Sequence, residues 1–129
     1  MKNILVADDM PTILEQVREI AGDRYNVISV EVGEDIIKIA GEKKPDVILL
    51  DMYLDQTNSE ELLKGLKADE NTKGIPVIIT ASDASVMELS RYYKMGACDF
   101  MKKPFVENIL FRRIDVACAL KEAGRTDLI

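Results

Sequence analysis

The sequence predicts an α/β domain: a parallel sheet with helices on both faces. Short apolar runs alternate with amphipathic stretches five times over. The runs are apolar at successive residues rather than at every second one, as expected of strands covered on both sides. Short connections between strand and helix then call for right-handed crossovers. A chain of 129 residues fits one domain and is too short for two. Its 47% apolar content is enough to fill a core.

The first strand is Ile4-Leu5-Val6-Ala7, which ends in Asp8-Asp9. The first helix opens with Pro11, favoured in a first turn, aligns Leu14, Val17 and Ala21, and stops near Gly22. A weaker strand follows at Val27-Ile28-Ser29-Val30, then a helix from about Glu34 to Gly41 carrying Ile36, Ile37 and Ala40. The third strand, Val47-Ile48-Leu49-Leu50, is unbroken and ends in Asp51. Glu60 to Ala68 forms the third helix through Leu62, Leu63 and Leu66, and Asp69 to Gly74 is a polar loop. After Pro76 comes Val77-Ile78-Ile79, ending in Thr80, and then a helix from Ala84 to about Met95, stopped by Gly96. The fifth strand, Cys98-Asp99-Phe100-Met101, leads into Lys102-Lys103-Pro104. The last helix runs from Val106 to about Glu122 and aligns Val106, Leu110, Ile114 and Ala117, with Phe111 and Cys118 widening the stripe. A short tail is expected after Gly124.

Composition narrows the chemistry. A net charge of −6 argues against nucleic acid, whose phosphates demand a basic face. No stretch approaches the roughly 20 apolar residues that span a bilayer, and the apolar N-terminal run is too short for a signal peptide, so no membrane role and a cytoplasmic location are expected. Cys98 and Cys118 lack metal spacing and fall in apolar patterns, which fits buried free thiols. The chain has no histidine, which removes histidine triads, histidine metal sites and an internal phosphohistidine. Neither glycine-rich nucleotide cradle is present. A phosphoryl group handled here has to arrive from another molecule.

In an open α/β sheet, ligands bind at the carboxyl ends of the strands, where the strand order reverses. Those ends carry Asp8 and Asp9, Asp51, Thr80 and Lys103. Three carboxylates in one pocket repel, each pair by about 4 kcal/mol at 4 Å and an effective dielectric of about 20. A dication, a shared proton or Lys103 would relieve them. Hard carboxylate oxygens suit Mg²⁺ or Mn²⁺, and an aspartate beside such an ion is placed to attack phosphorus. Singly, each residue has an ordinary explanation. Asp8-Asp9 could cap the first helix, Asp51 could be a loop carboxylate, Thr80 could satisfy local backbone, and the lysines could be solvated. It is their convergence from four strand ends that points to a site.

Together these residues resemble the response-regulator receiver domain, the phosphoacceptor of two-component signalling, over nearly the whole chain from Ile4 to about Leu120. Four motifs carry the resemblance: Ile4-Leu5-Val6-Ala7-Asp8-Asp9, Val47-Ile48-Leu49-Leu50-Asp51, Ile78-Ile79-Thr80-Ala81, and Gly96-Ala97 through Lys103-Pro104-Phe105. It implies a flavodoxin-like sheet of order 2-1-3-4-5 with five helices. It also implies phosphorylation of Asp51, Mg²⁺ held by Asp8, Asp9, Asp51 and the backbone carbonyl of Tyr53, and phosphoryl oxygens bound by Thr80 and Lys103. Phe100 matches an aromatic switch position coupled to Thr80, and the Lys103–Pro104 peptide would be cis. The implied partners are a sensor histidine kinase or histidine phosphotransfer protein, plus a downstream protein target met by the face of the fourth helix, fifth strand and fifth helix. The chain is expected to be a free-standing receiver over residues 1–129 with no output domain, a monomer or weak homodimer, and not a metabolic enzyme.

Several positions depart from the family pattern. A Pro and a Gly usually follow the phosphoacceptor where Asp55 and Ser59 stand here, so Met52 to Ser59 is expected to turn differently. Phe100 lacks the hydroxyl of the more usual Tyr, and Tyr53 and Ser82 flank the site where phosphate lifetime is tuned. The alternative is a pseudo-receiver, a protein-binding module never phosphorylated, which would have lost the acidic pair, Asp51 or Lys103. An aspartate-nucleophile hydrolase would carry D-x-D and a cap domain, for which there is no room.

Overall fold

In the computed structural model, which describes residues 1–30 and 34–124, each apolar run is a strand. β1 (Lys2–Ala7), β2 (Tyr25–Ser29), β3 (Val47–Asp51), β4 (Val77–Ala81) and β5 (Asp99–Lys102) alternate with α1 (Pro11–Ala21), α2 (Ile36–Lys43), α3 (Ser59–Ala68), α4 (Val86–Lys94) and α5 (Glu107–Glu122). All neighbouring strands are parallel, in the order β2-β1-β3-β4-β5. The fold is therefore the flavodoxin-like doubly wound sheet.

Alternation along the strands divides the interior into two cores. Leu5, Ile48, Leu50, Val77 and Ile79 face α2, α3 and α4, packing on Ile36, Leu63, Leu66 and Tyr92. Ile4, Val6, Val47, Leu49 and Ile78 face α1 and α5, packing on Val17, Leu110, Ile114 and Ala117. The central strands β3 and β4 are buried at every residue, which explains their unbroken apolar runs. Truncating any of these large side chains to Ala costs about 2–5 kcal/mol.

Element ends differ from the sequence expectation where capping decides them. The Asp35 side chain accepts from Lys38 N, so α2 begins at Ile36 rather than near Glu34. Ser85 and Glu88 form a capping box that starts α4 at Val86 rather than Ala84. β5 begins at Asp99, one residue beyond Cys98, and β2 begins at Tyr25, earlier than the apolar run suggested. Val106, expected on the apolar stripe of the last helix, instead precedes α5 as its N-cap and is 54% exposed. The breadth of that stripe is core packing: Cys118 is buried, and the Phe111 ring lies 5.7 Å from Tyr25 with the Arg24 guanidinium 4.2 Å above it. Gly96 ends α4's turn at φ 108, and a Cβ there would meet Lys67 Cγ at 2.9 Å, so glycine is required. Both cysteines are free and buried, and burial pushes the Cys98 thiol up to about 12. Among the described residues no helix is long and apolar enough to cross a membrane. The tail expected after Gly124 lies outside the described residues.

Candidate functional site

The strand order reverses between β1 and β3, whose neighbours β2 and β4 lie on opposite sides. Asp51 closes β3 and pairs in register with Thr80 of β4. Asp8 and Asp9 follow β1 directly, and Lys103 follows β5. Two backbone bonds and one side-chain bond hold these ends together. Met52 N donates to Thr80 O at 2.8 Å, Lys103 N donates to Ala81 O at 2.9 Å, and Ser59 Oγ donates to Asp51 O at 2.7 Å. Ser59 does this from the first residue of α3, and its own burial is nearly complete. The segment between is fixed by Asp55 N, which donates to Asp9 Oδ2, and by Gln56 in the left-handed region at φ 55. The Lys103–Pro104 peptide is cis.

One buried cation bridges two buried carboxylates. Lys103 Nζ lies 2.7 Å from Asp8 Oδ2 and 3.3 Å from Asp51 Oδ1. Asp8, Asp51 and Lys103 are 3%, 6% and 7% exposed, so water screens them weakly. Lys102, next door, points out to solvent, as strand alternation requires. Asp8 is not a helix cap. Met10 takes the N-cap position of α1 without a side-chain bond, and Asp8 Oδ1 accepts from Met10 N at 2.9 Å. Asp51 Oδ1 also accepts from Tyr53 N at 3.2 Å. The Asp51 carboxyl is nonetheless held above the ordinary aspartate range. Burial is the chief cause and the Asp8 charge adds to it, outweighing the Tyr53 amide and Lys103.

Above this trio a cleft of about 590 Å³ opens between the β3–α3 connection and the start of α4. Asp9, Asp51, Tyr53, Ser82 and Lys103 line it, together with Met10, Asp83, Ala84, Ser85 and Glu88, which sequence reasoning did not single out. Asp8 and Thr80 lie behind the wall, Thr80 only 2% exposed. Phe100 stands outside the cleft, half-buried, packing on the α2–α4 core and edging a separate depression with Pro104, Val106 and Ile109. The capping box of α4 was visible as Ser85-x-x-Glu88 and would have flagged that wall.

The donor set suits a hard divalent cation. Asp9 and Asp51 present carboxylate oxygens to the cleft, the chain holds no histidine, and both cysteines are buried in the core. Among the described residues no three carboxylates are gathered into a ready-made cage. Mg²⁺ needs few protein ligands because it retains water, and a second positive charge would offset the burial that raises Asp51. The residues therefore fit such an ion, and Asp9, which now accepts from Asp55 N, would be one of those to hold it.

A doubly wound parallel α/β domain with an acidic, lysine-bridged cleft at its switch point defines the class. Residues 4–115 match the family model of the response regulator receiver domain, and the chain belongs to that family. It is 30% identical over 120 residues to the protein PilH of Pseudomonas aeruginosa, covering 92% of this chain and 99% of PilH. It is 34% identical over 129 residues to the phosphate regulon transcriptional regulatory protein PhoB of that organism, covering 98% of this chain and 55% of PhoB. The chain thus spans nearly all of one relative and about half of the other. The solved structure of the chemotaxis protein CheY4 of Vibrio cholerae superposes with a TM-score of 0.82 at 22% identity over 90% of this chain and 98% of that one, a likeness of fold.

Proposed function

We propose that the chain is a phosphoacceptor whose Asp51 takes a phosphoryl group from a partner protein. The observation that carries this is the buried Asp8–Lys103–Asp51 bridge opening onto the cleft. Ion pairs of this kind are costly to bury, and neither core of this fold needs one.

An Asp51 carboxylate oxygen forms a bond to phosphorus while the bond from phosphorus to the donor's leaving atom breaks. The leaving atom departs with the electron pair and takes a proton from solvent. Burial strips Asp51 of water and keeps its oxygens basic, which favours attack. Lys103 is already against the reacting carboxylate and would meet the phosphoryl oxygens as charge shifts onto them. Thr80, in register with Asp51, would donate its hydroxyl to the same group. Mg²⁺ or Mn²⁺, held by Asp8, Asp9, Asp51 and the backbone carbonyl of Tyr53, would supply further charge neutralisation there.

The donor is a phosphohistidine on a sensor histidine kinase or phosphotransfer protein, which membership of the family supports, and this chain has no histidine to supply it from within. Output runs through the α4–β5–α5 face. Movement of the Thr80 hydroxyl toward the phosphoryl group frees space for the Phe100 ring, a local packing change that biases a two-state surface. The downstream target is a protein.

Incubation with a small acyl or amido phosphate plus Mg²⁺ tests the reading by intact mass. One phosphoryl group is expected, lost on chelation and in Lys103→Ala but kept in Lys102→Ala. Equal labelling of the two lysine variants would refute the role of the bridge.

A further inference from the structure

The two walls of the cleft are tied across its mouth. Tyr53, on the connection that follows β3, donates its hydroxyl to Glu88 Oε2 in the first turn of α4. The other oxygen of the same carboxylate, Oε1, accepts from Ser85 N at 3.0 Å, and Ser85 Oγ accepts from Glu88 N at 3.1 Å. A single carboxylate thus anchors the Tyr53 ring and caps α4. Tyr53, Ser85 and Glu88 line the same cleft as Asp51 and Lys103. Core packing does not explain the contact, because Tyr53 is 60% exposed and joins neither core.

We propose that Tyr53 and Glu88 form a strap that gates Asp51, with Glu88 acting as a positioning residue through the Tyr53 hydroxyl. This deepens the phosphoacceptor reading and rests on it. Closed, the strap narrows the approach of both the phosphodonor and the water that later hydrolyses the acyl phosphate. Asp9, Asp83 and Glu88 already place negative charge around the cleft, and Lys103 is the one cation among the described lining residues. A phosphoryl group on Asp51 adds roughly two more negative charges. It therefore works against the Glu88 carboxylate and loosens the strap. Because that carboxylate is also half of the α4 capping box, loosening reaches the start of α4 by a route separate from Thr80 and Phe100.

The test is a double-mutant cycle read by rates of Asp51 labelling with a small phosphodonor and rates of acyl-phosphate loss. Tyr53→Phe keeps the ring and leaves the capping box intact. It should speed both steps by about two- to fivefold, the scale of one exposed charge-assisted contact. Glu88→Ala should do the same, the double variant should add nothing further, and Glu88→Gln, whose uncharged amide has one acceptor oxygen for the two donors Tyr53 and Ser85, should fall between wild type and Glu88→Ala. Acceleration by Glu88→Ala with a silent Tyr53→Phe would assign the effect to helix capping and overturn the strap, as would slower labelling in Tyr53→Phe. Amide spectra without donor or metal supply a second readout. Tyr53→Phe should shift the Ser85 and Glu88 amides, and shifts confined to the Tyr53 side of the cleft would overturn the strap. A wild-type chain that takes no label at all removes the phosphoacceptor reading and the gate with it. Normal labelling with unchanged rates in Tyr53→Phe removes the gate alone.

Discussion

Replacing Lys103 by Met keeps most of the buried stem and removes only the charge, so it isolates the worth of the ammonium group. With an effective dielectric of about 20, the contacts at 2.7 and 3.3 Å correspond to attractions of about 6 and 5 kcal/mol before desolvation is counted. Without the cation, Asp8 and Asp51 are left as two buried, mutually repelling carboxylates. The variant can escape by binding one proton. From the ordinary aspartate value of 3.8, that costs about 4 kcal/mol at pH 7. The proton cost caps the loss, and direct experience with broken buried pairs gives about 3–5 kcal/mol. We therefore expect Lys103→Met to lose about 3–4 kcal/mol in urea melts at pH 7 with divalent cations chelated. The sign of the pH effect follows. The variant's folded state binds a proton that the unfolded state lacks at neutral pH, so its stability rises on acidification. The gap to wild type should shrink by about 1.4 kcal/mol per pH unit between pH 7 and pH 5. A gap below about 1 kcal/mol at pH 7, or one independent of pH, would refute the bridge as a buried charge system.

Asp51→Asn should stabilise the chain by about 0.5–2 kcal/mol at neutral pH, since a site shaped for chemistry is not shaped for stability. Burial raises the Asp51 carboxyl, so its favourable contribution is full below the unfolded value of 3.8 and is lost as pH rises through the folded value. The advantage of the Asn variant should accordingly vanish in acid, and a destabilised Asn variant at pH 7 would contradict this. Tyr92 is buried, its hydroxyl 3.4 Å from Met52 O, and burial with the Glu60 charge pushes it up to about 12. In an ultraviolet titration the last of the four tyrosines should ionise near that pH, and Tyr92→Phe should remove that step; persistence of the step in the variant would reassign it.

The strands were readable because β3 and β4 are covered on both faces, so their sequences are continuously apolar. β2 was harder. It lies at the sheet edge and is only partly buried, and polar Asn26 hides its true start at Tyr25. Helix starts moved where a side chain caps the backbone, as Asp35 and Ser85 do, because periodicity reports the buried stripe and not the cap. Val106 fell off that stripe because it precedes α5 rather than belonging to it. Convergence of Asp8, Asp9, Asp51 and Lys103 was legible as strand-end chemistry. The sheet order came only with the family resemblance, since local patterns do not encode which strands are neighbours. Ser59 and Glu88 were missed as parts of the site because their roles depend on contacts across the fold, Ser59 with the Asp51 carbonyl and Glu88 with the Tyr53 hydroxyl. In the sequence Ser59 reads only as a departure from glycine. Its hydroxyl bond to Asp51 O gives the departure a structural purpose.

The most direct measurement is to find where the phosphoryl group sits. After labelling with a small phosphodonor and Mg²⁺, borohydride reduction converts an aspartyl phosphate to homoserine, which peptide mass spectrometry locates. The account predicts homoserine at position 51, with none at 8 or 9 and none anywhere in Asp51→Asn. Homoserine at Asp8 or Asp9, or undiminished labelling of the Asn variant, would contradict it.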